Sequence, residues 1–251
     1  MLLKRVMPCL LYNGHGLIKT VQFKNPDYIG DPINAIKIYN EKEVDELILL
    51  DIKATLEKRG PKFEKIKEFA SECFMPFTYG GGVRSIEDFS TLYKIGIEKV
   101  AVNSLILTHP EIVKEAVRIY GAQAVIGVID IKKNSSMTAL PFNFAGHAIT
   151  QNLADYINYL QNEIGVGEIL LQNIDREGTW IGYDDKLIAA VLKNSKVPVI
   201  VLGGAKNAEN IKHTLYETGA NAAAIGSMAV YQKKDMGVLI RFPKRESIIN
   251  E

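Results

Sequence analysis

The chain is poor in cysteine, in net charge and in long apolar runs. Only two of its 251 residues are cysteines, Cys9 and Cys73, and both lie in apolar stretches, which predicts buried thiols of a reducing compartment rather than a disulfide framework. A net charge of +1 gives no sign of a nucleic-acid or membrane partner. No apolar run approaches the roughly 20 residues of a membrane span, and the first residues lack the apolar segment of a signal peptide. We therefore expect a soluble cytoplasmic protein.

Metal-binding patterns are also missing. The chain has four histidines, and three of them, His109, His147 and His213, are scattered without the spacing of metal ligands. The fourth, His15, lies between two glycines, where an exposed loop position is the usual interpretation. No Gly-rich dinucleotide turn follows the first apolar run. The sequence therefore predicts neither a metal nor a cofactor.

What the chain does contain is a series of eight short, β-branched apolar runs separated by amphipathic segments. Hydrophobic residues make up 47% of the chain, which is enough for a substantial core. Nearly continuous apolar character is typical of parallel strands that are buried on both faces. The eight predicted strands are Arg5–Leu11, Glu46–Asp51, Pro76–Gly80, Lys99–Asn103, Ala124–Asp130, Glu168–Asn173, Pro198–Gly203 and Ala222–Gly226.

Helix signals lie between these runs. Asp31-Pro32 supplies an N-cap followed by a proline at the first helical position, and the stretch from Ser85 to Asp88 resembles a capping box. Gly96 and Gly219 stand where helices should end before the next strand. Eight such units predict one (β/α)8 TIM barrel that spans residues 1–251. A doubly wound open sheet is the rival, but it does not require eight strands and would want the missing dinucleotide turn.

The second half of the chain repeats the first. The runs that begin at Pro76 and Glu46 recur from Pro198 and Glu168, in both cases 122 positions later (76 to 198, 46 to 168). The stretch from Val102 to Ser104 also recurs, with one inserted residue. We therefore expect a barrel of two similar halves and a site with approximate two-fold character. The expected half-barrels are residues 1–120 and 121–251.

Glycine-rich turns end two of the repeated strands. In a (β/α)8 barrel the chemistry lies at the carboxyl ends of the strands, and glycines there let backbone N–H groups approach an anion. A single Gly-Gly pair is more often a tight turn, but two copies with matching Ser-containing strand ends favour two facing phosphate sites. The predicted residues are Gly81, Gly82, Asn103 and Ser104 in one half and Gly203, Gly204, Gly226 and Ser227 in the other.

Three ionisable residues near the strand ends are candidates for catalysis. Asp130 and Asp51 end two strands, where a carboxylate can act as a general acid or base. For Asp51, a loop-pinning role is an equally good interpretation. Lys19 follows the first strand on a Gly-rich loop and could reach over the site as a mobile cation; the alternative is a solvated surface lysine.

Four charged residues open strands at the opposite end of the predicted barrel. Two cations and two anions there can form a closed ring of ion pairs, and a stabilising salt-bridge layer is the default interpretation at a barrel floor. The four residues are Arg5, Glu46, Lys99 and Glu168.

Several longer motifs accompany these residues across positions 4–231. They include Pro8-Cys9-Leu10, Gly30-Asp31-Pro32, Leu50-Asp51-Ile52, Gly80-Gly81-Gly82-Val83-Arg84-Ser85, Gly167-Glu168-Ile169-Leu170-Leu171 and Asp175-Arg176-Glu177-Gly178-Thr179. Together they resemble the cyclase subunit of imidazole glycerol phosphate synthase. In that family a glutaminase partner makes ammonia, which passes through the barrel and reacts with a bis-phosphorylated substrate in histidine biosynthesis.

The resemblance implies a role for each matching residue. Asp130 corresponds to one catalytic carboxylate, and Lys19 to a loop lysine that closes on the substrate. The implied phosphate sites are Gly82, Asn103 and Ser104 on one side and Gly178, Gly204, Gly226 and Ser227 on the other. The ring of Arg5, Glu46, Lys99 and Glu168 corresponds to an ammonia gate on the face where the glutaminase docks, which replaces the salt-bridge interpretation.

The chain also departs from the family pattern. The second catalytic aspartate of the family falls on Leu11, which cannot transfer a proton, so cyclase activity should be crippled. A family aspartate near the second phosphate site appears as Glu177. The loop from Ile131 to Gln151 matches poorly, and the C-terminus from Met236 does not have the pattern of the family's closing amphipathic helix.

These departures resemble a side branch of the family found in bacterial surface-polysaccharide and acidic-sugar clusters. There a cyclase-like and a glutaminase-like protein are thought to deliver ammonia to a third enzyme, a sugar amidotransferase. The first hypothesis is therefore an ammonia-conducting subunit that serves amidination of a surface sugar. The second is the histidine-pathway cyclase itself, an ammonia-dependent lyase. A related sugar-phosphate isomerase is a third, against which the Lys4-Arg5 start and the complete gate argue.

Overall fold

Eight parallel strands close into a barrel in a computed structural model that describes residues 3–133, 139–142 and 151–248. The last barrel strand pairs with the first, Arg5 lying opposite Ala222, so the eight-stranded barrel is closed and the doubly wound alternative is wrong. The strands are β1 (Arg5–Tyr12), β2 (Leu17–Val21), β3 (Lys24–Gly30), β4 (Leu47–Asp51), β5 (Phe77–Gly80), β6 (Lys99–Val102), β7 (Val125–Lys133), β8 (Ala139–Phe142), β9 (Glu168–Asn173), β10 (Val199–Leu202) and β11 (Ala222–Ile225).

The barrel order is β1, β4, β5, β6, β7, β9, β10 and β11, which confirms the eight predicted strands to within about two residues at most ends. Three further strands were missed. β2 and β3 lie in segments that lack a continuous apolar run, and β8 is apolar but only four residues long. β2 and β3 form an antiparallel hairpin that extends from β1, and β8 pairs antiparallel with β7.

Helices alternate with the barrel strands. They are α1 (Pro32–Glu41), α2 (Phe63–Glu72), α3 (Ile86–Lys94), α4 (Ser104–Thr108), α5 (Pro110–Tyr120), α6 (Leu153–Asn158), α7 (Asp185–Asn194), α8 (Ala208–Tyr216) and α9 (Ser227–Val230). A π-helical turn, Tyr159–Ile164, extends α6. Within the described part of the chain, none of the helices reaches the length and apolar character needed to cross a membrane.

The predicted helix signals act as expected. The Asp31 side chain accepts from the Asn34 N–H at 3.0 Å at the start of α1. Ser85 and Asp88 form a reciprocal capping box at the start of α3, which satisfies backbone N–H groups that the first helical turn leaves free. Gly96 follows α3 with φ +103°, a left-handed conformation that favours glycine.

The internal repeat extends from the strands to the helices. Helices α2 and α7 begin 122 positions apart (63 and 185), as do α3 and α8 (86 and 208) and the strands β5 and β10 (77 and 199). The short helices α4 and α9 begin 123 positions apart (104 and 227), which matches the one inserted residue in the sequence. The two-fold character predicted from the sequence therefore describes the architecture of the whole barrel.

Alternation along each barrel strand sorts the interior into layers, because every second side chain turns inward. Along β9 the inward positions run from Glu168 at the floor through Leu170 to Gln172 at the mouth. The layer between floor and mouth is buried and mostly apolar, with Thr78 of β5 as a polar member beside Ile48. Its side chains include Met7, Ile48, Ala101, Ile126, Leu170, Ile200, Ala222 and Ala224.

The C-terminal segment after α9 has one 3₁₀ turn, Arg245–Ser247, among its described residues, in agreement with the absence of an amphipathic helix pattern. This segment returns to the barrel floor, where Arg245 pairs with Asp45 at 2.5 Å. Both cysteines are free; Cys9 is buried as expected, whereas Cys73 is only half-buried because it caps the exposed end of α2.

Candidate functional site

A cavity of about 500 Å³ opens at the carboxyl ends of the barrel strands. All predicted catalytic and phosphate-site residues line it, which brings together side chains that lie more than 200 positions apart in the chain. Each barrel strand or the turn after it contributes to the lining. In strand order these residues are Leu11, Asp51, Gly81, Asn103, Asp130, Gln172, Gly203 and Gly226.

The two Gly-rich turns have the same construction in both halves. Gly81 and Gly203 have φ of +115° and +102°, and a Cβ would lie 2.2 Å from the Asp51 carbonyl oxygen in the first and 2.5 Å from the Asn173 carbonyl oxygen in the second. Asp51 and Asn173 are themselves 122 positions apart. Both turns therefore require glycine, and both leave uncovered backbone at the rim of the cavity, as a phosphate site needs.

Substituting Gly81 by alanine should lower the free energy of unfolding by more than about 3 kcal/mol, because backbone strain and a backbone clash act together. Gly96→Ala is a matched control, since its φ is similar but the nearest atom to a Cβ lies at 3.8 Å. That variant should lose only about 1–2 kcal/mol. Urea unfolding of both variants checks the difference, and equal losses would show that the close approach to Asp51 is unimportant.

Asp130 lies on β7 at the mouth of the barrel. Its Oδ2 accepts a hydrogen bond of 2.8 Å from Asn103 Nδ2, so this predicted phosphate donor is engaged with the predicted catalytic carboxyl. Burial raises the pKa of Asp130 to about 7, while the Asn103 hydrogen bond opposes part of that shift. A carboxyl with a pKa near neutrality can both accept and donate a proton at the pH of the cell.

The raised pKa of Asp130 predicts a pH dependence of stability. The unfolded chain releases this proton near the ordinary value of 3.8 and the folded chain only near 7, so the folded state loses stability as the pH rises through that window. Relative to Asp130→Asn, the native protein should lose up to about 1.4 kcal/mol per pH unit. Urea unfolding of both proteins near pH 4 and near pH 7 measures this; a constant difference between them would contradict it.

Leu11 lies on β1, four strands away from β7 in the eight-stranded ring and therefore across the mouth from Asp130. It lines the cavity and is 9% exposed. Its neighbours on the adjoining strands, Leu50 on β4 and Ile18 on β2, are also apolar. The wall that faces Asp130 thus carries no ionisable group at this position.

Lys19 is not a solvated surface lysine. It lies in β2, is 5% exposed, and its Nζ contacts the Glu177 carboxylate. Burial lowers the pKa of Lys19 to about 8. A Cβ at Gly226 would lie 3.2 Å from the Lys19 Cε, so Lys19 covers this glycine of the second predicted phosphate site.

Glu177 holds the β2–β3 hairpin over the cavity. Besides Lys19, its carboxylate accepts from Thr20 Oγ1 at 3.0 Å and from the Phe23 N–H at 3.2 Å. Gly178 allows the hairpin to pack closely against this loop, because a Cβ at position 178 would lie 2.5 Å from the Thr20 carbonyl oxygen. The two predicted residues of the second site therefore position the hairpin that carries Lys19.

Asp51 has the loop-pinning geometry that the sequence left open. Its two carboxylate oxygens accept from Arg59 at 2.7 and 2.8 Å, a bidentate pair. Its Oδ1 also accepts from the Lys53 and Ala54 N–H groups at 3.2 and 3.1 Å. With these contacts made, Asp51 holds the turn after β4 and the neighbouring Gly81.

The four charged residues at the floor form a closed ring. Arg5 contacts both Glu46 and Glu168, and Lys99 Nζ lies 3.0 Å from Glu46 Oε2 and 3.1 Å from Glu168 Oε2. Each cation thus bridges two anions. The glutamates are almost buried, whereas about a fifth of each cationic side chain is exposed. The ring seals the floor beneath the apolar layer of the barrel.

Two residues of the site were missed from the sequence. Arg59, the partner of Asp51, lies in a polar loop and carries no local signal. Gln172 lines the cavity beside Asp130, and its polar side chain at an inward position of an apolar strand was a detectable signal. Two of the histidines, His109 and His213, are exposed, do not line the cavity, and contact Glu111 and Asp185. His147 lies outside the described residues.

Comparison with known proteins gives a consistent result. A family profile described as "Histidine biosynthesis protein" matches residues 5–235. A protein of Pseudomonas aeruginosa named "Putative imidazole glycerol phosphate synthase subunit hisF2" is 42% identical over 97% of both chains. A Leptospira borgpetersenii protein named "Putative imidazole glycerol phosphate synthase subunit HisF" is 38% identical over 97% of this chain and 96% of its own. The "Imidazole glycerol phosphate synthase subunit HisF" of Helicobacter hepaticus is 37% identical over 95% and 94%.

Proposed function

This chain belongs to the histidine biosynthesis protein family, and we propose that it is the cyclase-type barrel of a glutamine amidotransferase assembly that receives ammonia from a glutaminase at its floor. The ammonia serves amidination of a surface-polysaccharide sugar, in concert with a sugar amidotransferase. The barrel binds a phosphorylated small molecule at its mouth but performs the family's cyclisation poorly.

One observation carries this proposal: the complete ion-pair ring lies below a mouth that has Asp130 but Leu11 in place of its catalytic partner. A carboxyl and a leucine do not make an acid–base pair, so the mouth lacks one of the two catalytic groups. The ion-pair ring, to which we assign the entry of ammonia, is complete. A subunit that conducts ammonia needs the ring but not the acid–base pair.

The apolar layer above the ring supports passage of neutral ammonia. Glu168 and Gln172 lie four positions apart on β9, which corresponds to about 13 Å of strand. Along that distance the inward side chains are mostly apolar and are excluded from water. The free energy needed to move an ammonium ion through such a layer is far higher than that for ammonia, because the ion would lose its hydration. The layer therefore favours passage of the uncharged molecule.

Exposed apolar side chains on the floor support docking of a partner there. Phe74 precedes β5 on the floor side and is 82% exposed, and Leu3 at the chain's start is equally exposed. A large apolar side chain that is exposed at the floor is available for contact with a partner. The charged ring lies at the same end of the barrel.

The proposal is tested with a glutaminase subunit of the imidazole glycerol phosphate synthase family from the same organism. We expect the barrel to raise its rate of glutamine hydrolysis by about 5- to 150-fold, the usual range for coupling between two sites. Phe74→Asp should reduce this stimulation, whereas Ile181→Asp should not, because Ile181 is 60% exposed but lies in a turn after a barrel strand, at the opposite end. A glutaminase that is unaffected by the native barrel would refute the proposal.

A second function, the histidine-pathway cyclase itself, is favoured by the catalytic and phosphate-site residues that are present at the mouth. Asp130 with its pKa near 7, the buried Lys19 and both Gly-rich turns would serve that reaction. Rapid turnover of the bis-phosphorylated substrate by the native chain with ammonium salt would establish this alternative.

A further inference from the structure

The mouth of the barrel has a polar wall and an apolar wall. Three neighbouring strands, β6, β7 and β9, end inward in Asn103, Asp130 and Gln172. The strands on the other side of the ring present leucines instead. These are Leu11 on β1, Leu50 on β4 and Leu202 on β10.

Gln172 differs from the other two members of the polar wall. Asn103 and Asp130 satisfy each other through their 2.8 Å hydrogen bond. Gln172 lies directly beside Asp130 in the strand register and is 5% exposed, yet its Nε2 is buried and has no hydrogen-bond partner among the described residues. Its inward position is fixed by the alternation that places Leu170 and Glu168 on the same side of β9.

An unpaired buried donor is unfavourable for the folded chain, because it has lost its water without gaining a partner. A leucine would fit the same position without this cost, as Leu202 does on the next strand. The carboxamide is therefore explained by a contact that forms only when a ligand fills the cavity.

We propose that Gln172 is a specificity-determining residue whose Nε2 donates a hydrogen bond to the central part of the ligand, beside Asp130. This inference rests on the proposed phosphorylated ligand of the same cavity. The ligand class is a phosphorylated compound with a hydroxyl oxygen, a carbonyl oxygen or a ring nitrogen between its ends, because each accepts from an amide N–H. The two Gly-rich turns hold phosphate, and Gln172 distinguishes what lies between them.

The test compares the native protein with Gln172→Leu, which keeps the approximate size and removes the donor, by calorimetric titration with two probes. Imidazole glycerol phosphate carries alcohol hydroxyl groups and ring nitrogens in addition to its phosphate, whereas inorganic phosphate has no atoms beyond the phosphate group. We expect the variant to bind imidazole glycerol phosphate about tenfold more weakly and inorganic phosphate equally well. Gln123→Leu makes the same change at an exposed position just before β7 on the floor side, away from the cavity, and should keep the native preference.

Thermal unfolding without ligand separates this role from a structural one. Because Gln172→Leu removes an unpaired buried donor, its unfolding temperature should equal or exceed that of the native protein. A lower unfolding temperature, or unchanged affinity for imidazole glycerol phosphate, would overturn the assignment of Gln172 alone. Failure of the native protein to bind imidazole glycerol phosphate more tightly than phosphate would instead overturn the proposed ligand class, and this assignment with it.

Discussion

Replacing Leu11 by aspartate is expected to raise ammonium-dependent turnover of the cyclase family's bis-phosphorylated substrate by about two to four powers of ten. Leu11 lines the cavity across the ring from Asp130, so the new carboxyl would face the existing one from the opposite wall. An increase of about two to four powers of ten is the typical rate contribution of a positioned proton-transfer group. Steady-state turnover with ammonium salt measures the gain directly.

Two controls separate a positioned acid from a general change in polarity. Leu11→Asn has a similar size but cannot transfer a proton, so it should gain nothing. Leu202→Asp puts a carboxyl on the same cavity from β10, where it does not face Asp130 across the barrel. Because an aspartate among leucines also costs stability, each variant should first be shown to unfold cooperatively.

The outcome distinguishes the two proposed functions. Slow native turnover with a gain only in Leu11→Asp would support a barrel that conducts ammonia and has lost half of its acid–base pair. Fast turnover by the native chain would favour the histidine-pathway cyclase. No gain in Leu11→Asp would mean that the missing acid is not what limits the reaction, and the engagement of Lys19 by Glu177 would become the first feature to alter.

Neutralising one anion of the floor ring is expected to lower the free energy of unfolding, and this is the second large effect that we predict. In Glu168→Gln the contacts to Arg5 and Lys99 lose their charge, and Glu46 is left as the one anion of the ring. Removing one partner of a buried pair typically costs about 3–5 kcal/mol. Because about a fifth of each cation is exposed, we expect a loss of roughly 2–4 kcal/mol in the free energy of unfolding.

Glu98→Gln is the matched control for the ring. Glu98 precedes Lys99 at the same floor but is exposed and does not contribute to the ring ion pairs, so its loss should stay within about 0.5 kcal/mol. Urea unfolding of both variants gives the comparison. If Glu168→Gln were as stable as Glu98→Gln, the ring would not stabilise the barrel, and its retention would need another explanation, such as control of ammonia entry.

Much of the architecture is local and was predictable from the sequence. Parallel barrel strands are buried on both faces, so each leaves a nearly continuous apolar run, and capping residues such as Asp31 and Ser85 mark helix starts by chemistry that involves only three or four neighbours. The offset of 122 residues predicted the two-fold plan, because equal segments form equal half-barrels. Leu11 could be located at a strand end for the same reason.

The tertiary structure alone decided how the polar residues of the mouth are used. Lys19 and Glu177 are 158 positions apart, and their pairing depends on the path of a hairpin whose strands have no apolar run. Arg59 satisfies Asp51, Asn103 satisfies Asp130, and the Gln172 Nε2 has no partner in the part of the chain that the structure describes. A sequence shows which donors and acceptors exist, but burial and distance select the pairs that form. Those pairs depend on loops that meet only when the barrel closes.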